Sequence, residues 1–352
     1  MARITGYQSR SILKLGTTGT AYGTAVAGGA GDRVRAKVTN NITTKELVKN
    51  VIGSGLTMQD DIIKGRVTPA FNLEMDLTYG GGSDVAAAQF FGAVAAPAEQ
   101  TVGEGDYLHT MTLNPEANVV YLTFASEKTS DKVAEFPSCA VKSISTSFGE
   151  ASEIVKFTAE LLGNDYKFNS VINTTATIAA STEADTECAV VKFEDSFWIN
   201  AYGDAALDSG DQFDIMSYNR TLTRPQDFSG LVRGAAGNPE PTVDDLITGT
   251  IDITLESLND LTYMTAWEVG TFFKCLLNIE GSQIGAGVKK AWDEYTPYMK
   301  LVQIPKHDTT DSGFNSVTMK FVIMEAPAAP TGMTSTRPYL KVINKKSAAY
   351  IA

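Results

Sequence analysis

Residues 65–92, GRVTPAFNLEMDLTYGGGSDVAAAQFFG, set the architecture. Val67, Pro69, Phe71, Leu73, Met75 and Leu77 alternate with the polar Thr68, Asn72, Glu74 and Asp76, the period of two that gives a strand one dry and one wet face. The triple glycine at 80–82 ends the strand, Ser83 or Asp84 is placed to cap a helix, and residues 85–91 supply that helix, apolar all round. Strand, glycine turn and short buried helix make one unit.

The unit returns in the second half of the chain. Ile251, Ile253 and Leu255 alternate with Thr250, Asp252, Thr254 and Glu256, Ser257 or Asn259 can cap a second helix, and residues 261–269 supply it. Two long hairpins repeat in the same order. The first is VKSISTSF–GEAS–EIVKFTAELLG (141–163) and the second MKLVQIPKH–DTTDSG–FNSVTMKFVIMEA (299–326). Matching pairs in one order indicate an internal duplication. The expected fold is therefore mainly β, two tandem sandwich domains at 1–185 and 186–330, each with a short helix and long excursions, followed by a basic arm at 331–352.

Composition bounds the function. A chain of 352 residues with 43% hydrophobic content has the length for two cores. No run approaches the roughly 20 apolar residues that span a bilayer, and residues 1–10 lack an apolar signal segment, so no membrane partner and synthesis in the cytoplasm are expected. Cys139, Cys188 and Cys275 are odd in number and widely spaced, which points to neither a disulfide framework nor a zinc site. The net charge of −12 is uneven. Residues 1–37 hold Arg3, Arg10, Lys14, Arg33, Arg35 and Lys37 against Asp32 alone, and residues 337–352 hold Arg337, Lys341, Lys345 and Lys346 with no acid. Setting these ten bases and one acid apart leaves a body of −21. Basic ends on an acidic body suit docking between copies, so Arg3, Arg10, Lys14, Arg337, Lys341, Lys345 and Lys346 are inter-subunit candidates.

In chain order, the first 31 residues, with the glycine-rich 16–31, read as an extended or irregular arm without the buried strand or the Lys-Ser/Thr of a phosphate loop. Residues 33–43 make a strand, and 44–64 a polar excursion whose counterpart is 224–245. Strands follow at 101–112 and 119–127, then a charged loop at 126–135. A Ser/Thr/Ala-rich linker spans 170–187. Past Pro327 and Pro330, residues 337–344 can add a strand to a neighbour.

Catalytic chemistry is absent from the pattern. His109 and His307 sit in different halves with no nucleophile nearby and read as ordinary hydrogen-bonding residues. The pairs Asp60/Asp61 and Asp244/Asp245 fall in the excursions, and Asp204, Asp208 and Asp211 depart from a calcium loop. No catalytic residue, cofactor or metal is expected, and without basic–aromatic interleaving no specific nucleic-acid binding.

The order of features, AYGTAV, GRVTPAFNLEMDLTYGGGSD, a helix ending FFG, YLHTMTLNP, then VKSISTSFGEASEIVKFTAELLG, resembles the tail tube proteins of long-tailed bacteriophages. IMSYNRTLTRP, TGTIDITLES and the closing hairpin resemble the duplicated members, so the likeness spans 15–326. That family implies a β-sandwich flanked by a helix in each half, excursions that clasp a neighbour, and rings of six such domains, hence trimers of this chain stacked into a tube. It also implies assembly in the host cytoplasm, a place in the virion tail, and tape-measure, terminator and tail-tip partners. On that expectation Thr68, Asn72, Glu74, Asp76, Glu160, Thr250, Asp252, Thr254 and Glu256, with Lys156 and Lys320 as counterweights, line a predominantly acidic lumen through which DNA slides unbound. The alternatives are a non-catalytic carbohydrate- or host-binding sandwich, which wants aromatic residues on a strand face, and a hydrolase, which wants a carboxylate pair in a cleft.

Overall fold

The computed structural model describes residues 9–49, 61–115, 120–149, 154–190, 196–228, 238–243, 245–255, 262–285, 287–303, 306–308 and 316–351. The chain is mainly β. Its first half holds β1 (Ser11–Leu15), β2 (Arg33–Val34), β3 (Ala36–Lys49), β4 (Asp61–Asp76), α1 (Ser83–Phe91), β5 (Gly92–Val94), β6 (Ala98–Glu99), β7 (Tyr107–Leu113), β8 (Leu122–Thr129), β9 (Lys132–Phe148), β10 (Lys156–Leu162) and α2 (Thr175–Ala180). The second holds β11 (Ser196–Ala201), β12 (Ser217–Thr223), β13 (Gln226–Asp227), β14 (Thr242–Val243), β15 (Thr248–Leu255), α3 (Thr262–Val269), β16 (Phe272–Gln283), β17 (Lys289–Leu301), β18 (Lys306–Asp308), β19 (Ser316–Ile323) and β20 (Tyr339–Asn344).

The alternation around residue 70 does what it predicts. Phe71, Leu73, Met75 and Leu77 are buried while Asn72 and Glu74 are exposed. Each such apolar side chain contributes roughly 1.5–3 kcal/mol on burial. The turn into α1 differs from expectation. Gly82, at φ 118°, precedes the helix, and a Cβ there would stand 2.5 Å from Val34. Ser83 and Asp84 lie inside the first turn: Ser83 Oγ donates to the Thr78 carbonyl, and Asp84 Oδ1 accepts from the Gly82 and Val85 amides. The expected caps Ser257 and Asn259 fall outside the described residues.

The strand order repeats between the halves. On one sheet face the first half runs β3–β4–β10–β9 and the second β12–β15–β19 followed by β17 and β18. Behind them, β1–β8 lead into the first part of β9, and β11–β16 into β17, which β16 follows from Lys289 to Lys300. β9 crosses between layers near Ser138, whose φ of 48° is the one positive value at a described non-glycine residue. Ser138 Oγ accepts from the Gly23 amide 2.8 Å away, so the glycine-rich arm packs against the bend.

The halves do not enclose separate cores. β9 pairs directly with β12, β20 pairs with β17 on one side and β7 on the other, and one cluster of buried apolar residues draws on both halves, beside a small second one of Ile12, Ala125, Val133 and Ile178. The strand expected at 337–344 thus exists, but it joins the two halves of its own chain rather than a neighbour. The expected charged loop at 126–135 is a tight hairpin between β8 and β9, because Glu127 and Glu135 are buried against partners in the chain. The expected linker at 170–187 contains α2, capped by the Thr174 side chain. The described parts of the first excursion, 44–49 and 61–64, continue β3 and β4, paired out to Lys49 opposite Asp61.

Candidate functional site: a polar sheet face and the seam across it

One face of the shared sheet is wet from end to end. Asp76, Lys156, Ser147, Asn219, Asp252 and Lys320 lie side by side on six successive strands, and Lys37, Glu74, Thr158, Ser145, Thr221 and Thr250 form the next row. The predicted lining residues Asn72, Glu74, Asp76, Lys156, Glu160, Thr250, Asp252, Thr254 and Lys320 share this face, all exposed or half-buried. Thr68 is half-buried farther along β4, and Glu256 lies outside the described residues.

A predominantly acidic lining is not what the register produces. Glu74 pairs with Lys37 at 2.8 Å, Asp76 with Lys156 at 2.5 Å and Glu160 with Lys142 at 3.3 Å, and Lys320 stands opposite Asp252. Hydroxyls fill the intervals, with Ser145 donating to Asn219 Oδ1 at 3.0 Å and Thr221 to Ser145 at 3.2 Å. The face is charged but self-neutralised. Exposed pairs of this kind each contribute about 0–1 kcal/mol, so they set surface chemistry rather than hold the fold.

Beneath the seam between β9 and β12 lies a network that the sequence did not announce. Ile144, Thr146 and Phe148 face Leu222, Arg220 and Tyr218, with the Phe148 and Tyr218 rings stacked 5.7 Å apart. Glu294 of β17 accepts from Arg220 at 3.1 Å, from Thr146 Oγ1 at 2.6 Å, from Trp292 Nε1 at 2.9 Å and from the Tyr218 hydroxyl at 3.1 Å. Burial, reinforced by the Glu294 charge, pushes the Tyr218 phenol well above its usual range. Burial opposes the Arg220 charge, but Glu294 and Tyr218 outweigh it and hold the guanidinium above its ordinary value.

The described ends of the second excursion, 224–228 and 238–243, contact the first half. Arg224 donates to the carbonyls of Phe90 and Asn114, both at 2.7 Å, and burial lowers its pKa to about 10. The Asn238 amide donates to the Asn164 carbonyl at 2.7 Å, Tyr22 to the Pro239 carbonyl at 2.8 Å, and the Tyr121 hydroxyl to Glu240. In sequence Arg224 is only the first residue of a polar excursion. Its partners, more than 100 residues distant, give no local signal.

No protein-family model matches this sequence, and no curated protein matches it.

The basic ends are engaged within the chain. Arg10 grips Glu127 through Nε at 2.9 Å and Nη2 at 2.6 Å, Lys14 lies 3.0 Å from Asp32, and Arg337 lies 3.0 Å from Glu325. Lys341 sits over the Tyr295 ring and Lys346 over the Tyr350 ring, where burial lowers the Lys346 pKa. Lys345 is exposed, and Arg3 lies outside the described residues. His109 is buried with Nε2 2.8 Å from the Lys346 carbonyl, and burial lowers its pKa; the side chain of His307 lies outside the described ones. Asp208 and Asp211 close a 3-10 turn through reciprocal capping. Beside that turn the Lys274 ammonium donates to the carbonyls of Asp204 and Ala205 at 2.8 and 2.6 Å.

Proposed function

We propose that this chain is a structural subunit of a phage tail tube, a non-enzymatic protein whose copies close into rings and stack into a conduit for DNA. The observation that carries the reading is the seam: β9 and β12 join two four-strand units edge to edge, so one polar face runs unbroken across both halves. Among the described residues, β3 at the end of that face has β4 on one side and no strand on the other. An open edge of this length invites pairing with another chain, and closure into a barrel removes it. Three chains would contribute about 24 strands, well above the number at which a barrel interior becomes an aqueous channel.

The lining suits a sliding polyanion. Association of a protein with DNA rests on free cations that displace counterions from phosphates. Lys37, Lys142 and Lys156 are each occupied by a carboxylate on the same face, and the intervals are hydroxyls. The described ends of the second excursion, which contact the first half through Arg224 and Asn238, supply a pattern for the first excursion on a neighbouring chain. Partners in this reading are further copies, the tape measure inside the tube, and the terminator and tip at its ends, all in the virion tail.

Electron microscopy of the purified protein tests the proposal. Hollow rings or tubes with threefold symmetry are expected. A protein that stays monomeric at high concentration, or rings of six chains, would count against it.

A further inference from the structure

The repeated strand order exposes a seat that the chain itself leaves unfilled. Asp76 opposite Lys156 and Asp252 opposite Lys320 occupy equivalent places in the two halves. Registers followed outward from these pairs make Arg35 the counterpart of Asn219, Ala36 that of Arg220 and Val38 that of Leu222. On the other flank, Val302 becomes the counterpart of Ser147 and Leu301 that of Thr146. Within the chain, Ser147 lies opposite Asn219, and β9 covers β12. No described strand covers β3 in that way. Ala36 and Val38 stay half-buried where Arg220 and Leu222 are buried. A cleft of about 740 Å³ opens at this edge, with Val34, Arg35, Ala36 and Lys37 in its wall.

Resting on the tube reading, we propose that this cleft seats the last residue of β17 and the two that follow it, residues 301–303, from a second copy of the chain, in the register that sets Val302 opposite Arg35. β17 is paired to β19 through Leu301, and its other neighbour, β16, begins at Phe272 opposite Lys300. Beyond that point its outer edge has no strand among the described residues, and Val302 is 47% exposed. The two unpaired edges are those that the β9–β12 seam matches inside the chain, which is why the occupant is another copy rather than an unrelated protein. The chemistry of the two seams differs. Where the internal one buries Arg220 against Thr146 and Glu294, the external one brings Ala36 against Leu301, so it is apolar and carries no buried charge. Phe272 already occupies the outer edge of β17 at Lys300, so the seam ends at Ala36 against Leu301, with Lys37 next to Lys300 at its end rather than paired with it. Glu74 holds the first ammonium, and the second sits 5.2 Å from the centre of the Phe272 ring, so both heads are turned to partners in their own chain.

Two measurements on assembled protein test the register. In a Cys188→Ser background, Arg35→Cys combined with Val302→Cys should, on mild oxidation, give disulfide-linked two- and three-chain species on a non-reducing gel, while each single variant runs as one chain. Ser147→Cys with Asn219→Cys should cross-link within one chain and add no mass. In unsubstituted protein assembled from mixed heavy- and light-labelled chains, a short amine-reactive reagent should join Lys37 to Lys300 with mixed labels. Tubes that form without either link overturn the seat and leave the tube reading standing. Protein that forms no rings at all overturns both.

Discussion

Arg220 on β12 and Glu294 on β17 lie 3.1 Å apart with 4% and 3% of their side chains exposed, directly under the strand that the first half lends to the second. A charge so buried is tolerable only while its partner is present. Thr146, from the first half, adds a 2.6 Å hydrogen bond to the same carboxylate, so the network registers one half on the other.

Removing one partner should therefore cost more than removing both. Glu294→Ala strands the Arg220 guanidinium and should lower unfolding stability by about 3–5 kcal/mol, whereas Arg220→Met with Glu294→Met should be far milder. Urea unfolding of the two variants checks this. Equal losses would mean that the pair packs as bulk rather than as charge.

Arg224 should behave as a clamp. Arg224→Met removes the hydrogen bonds that Arg224 donates to the Phe90 and Asn114 carbonyls at the end of α1, a loss of about 1–3 kcal/mol. Hydrogen exchange should rise in the α1 C-terminal turn and around Asn164, where Asn238 docks, while β15 and β19 stay protected. Unchanged exchange at Asn164 would show that the excursion is held independently of Arg224.

The C-terminal residues should make the protein acid-sensitive. Burial holds the folded His109 imidazole below its ordinary pKa. The unfolded chain then binds the proton more readily, so this stability is fully present above the unfolded imidazole pKa, near 6.5, and is lost as pH falls through the folded value. The same region is pinned by Tyr350, whose hydroxyl bonds Asp84 and accepts from Asn344 at 3.0 Å. The urea midpoint of the natural protein should drop between pH 7.5 and 5.5, and His109→Gln should flatten that drop. An identical pH dependence in both would assign the sensitivity to other groups.

The polar face should tolerate neutral changes and respond to charge reversal. Glu74→Gln, Asp76→Asn and Asp252→Asn leave Phe71, Leu73, Met75 and Ile251 in place, so folding and tube formation should persist. Lysine at the same three positions also releases Lys37 and Lys156 from their pairs, and each added phosphate contact steepens salt-dependent binding. DNA should then be retained by tubes at low salt and released as ionic strength rises. Retention that is indifferent to these changes would place the face away from the DNA path.

The strands around residues 70, 144, 160, 220, 252 and 320 and their wet and dry faces were legible in the sequence, whereas β16 and most of β17, which carries Glu294, were not read from it. The alternation at Phe71, Leu73 and Met75 is a property of neighbours in the chain, and a period of two admits only one burial pattern once one side is dry. It also marked Asn72, Glu74, Asp76, Lys156 and Asp252 as one surface. What those residues face was decided by the folded chain alone. Lys37 meets Glu74, and Lys142 meets Glu160, through strand registers that composition does not encode, and these turn an apparently acidic face into a paired one. Arg220, Arg224 and Arg10 read as surface charges in one dimension because their partners Glu294, Phe90, Asn114 and Glu127 stand more than 70 residues away. The partners of β20 were likewise settled by packing. A strand edge pairs with whichever complementary edge the folded chain brings within about 4.8 Å, and here β17 and β7 of the same molecule arrive first.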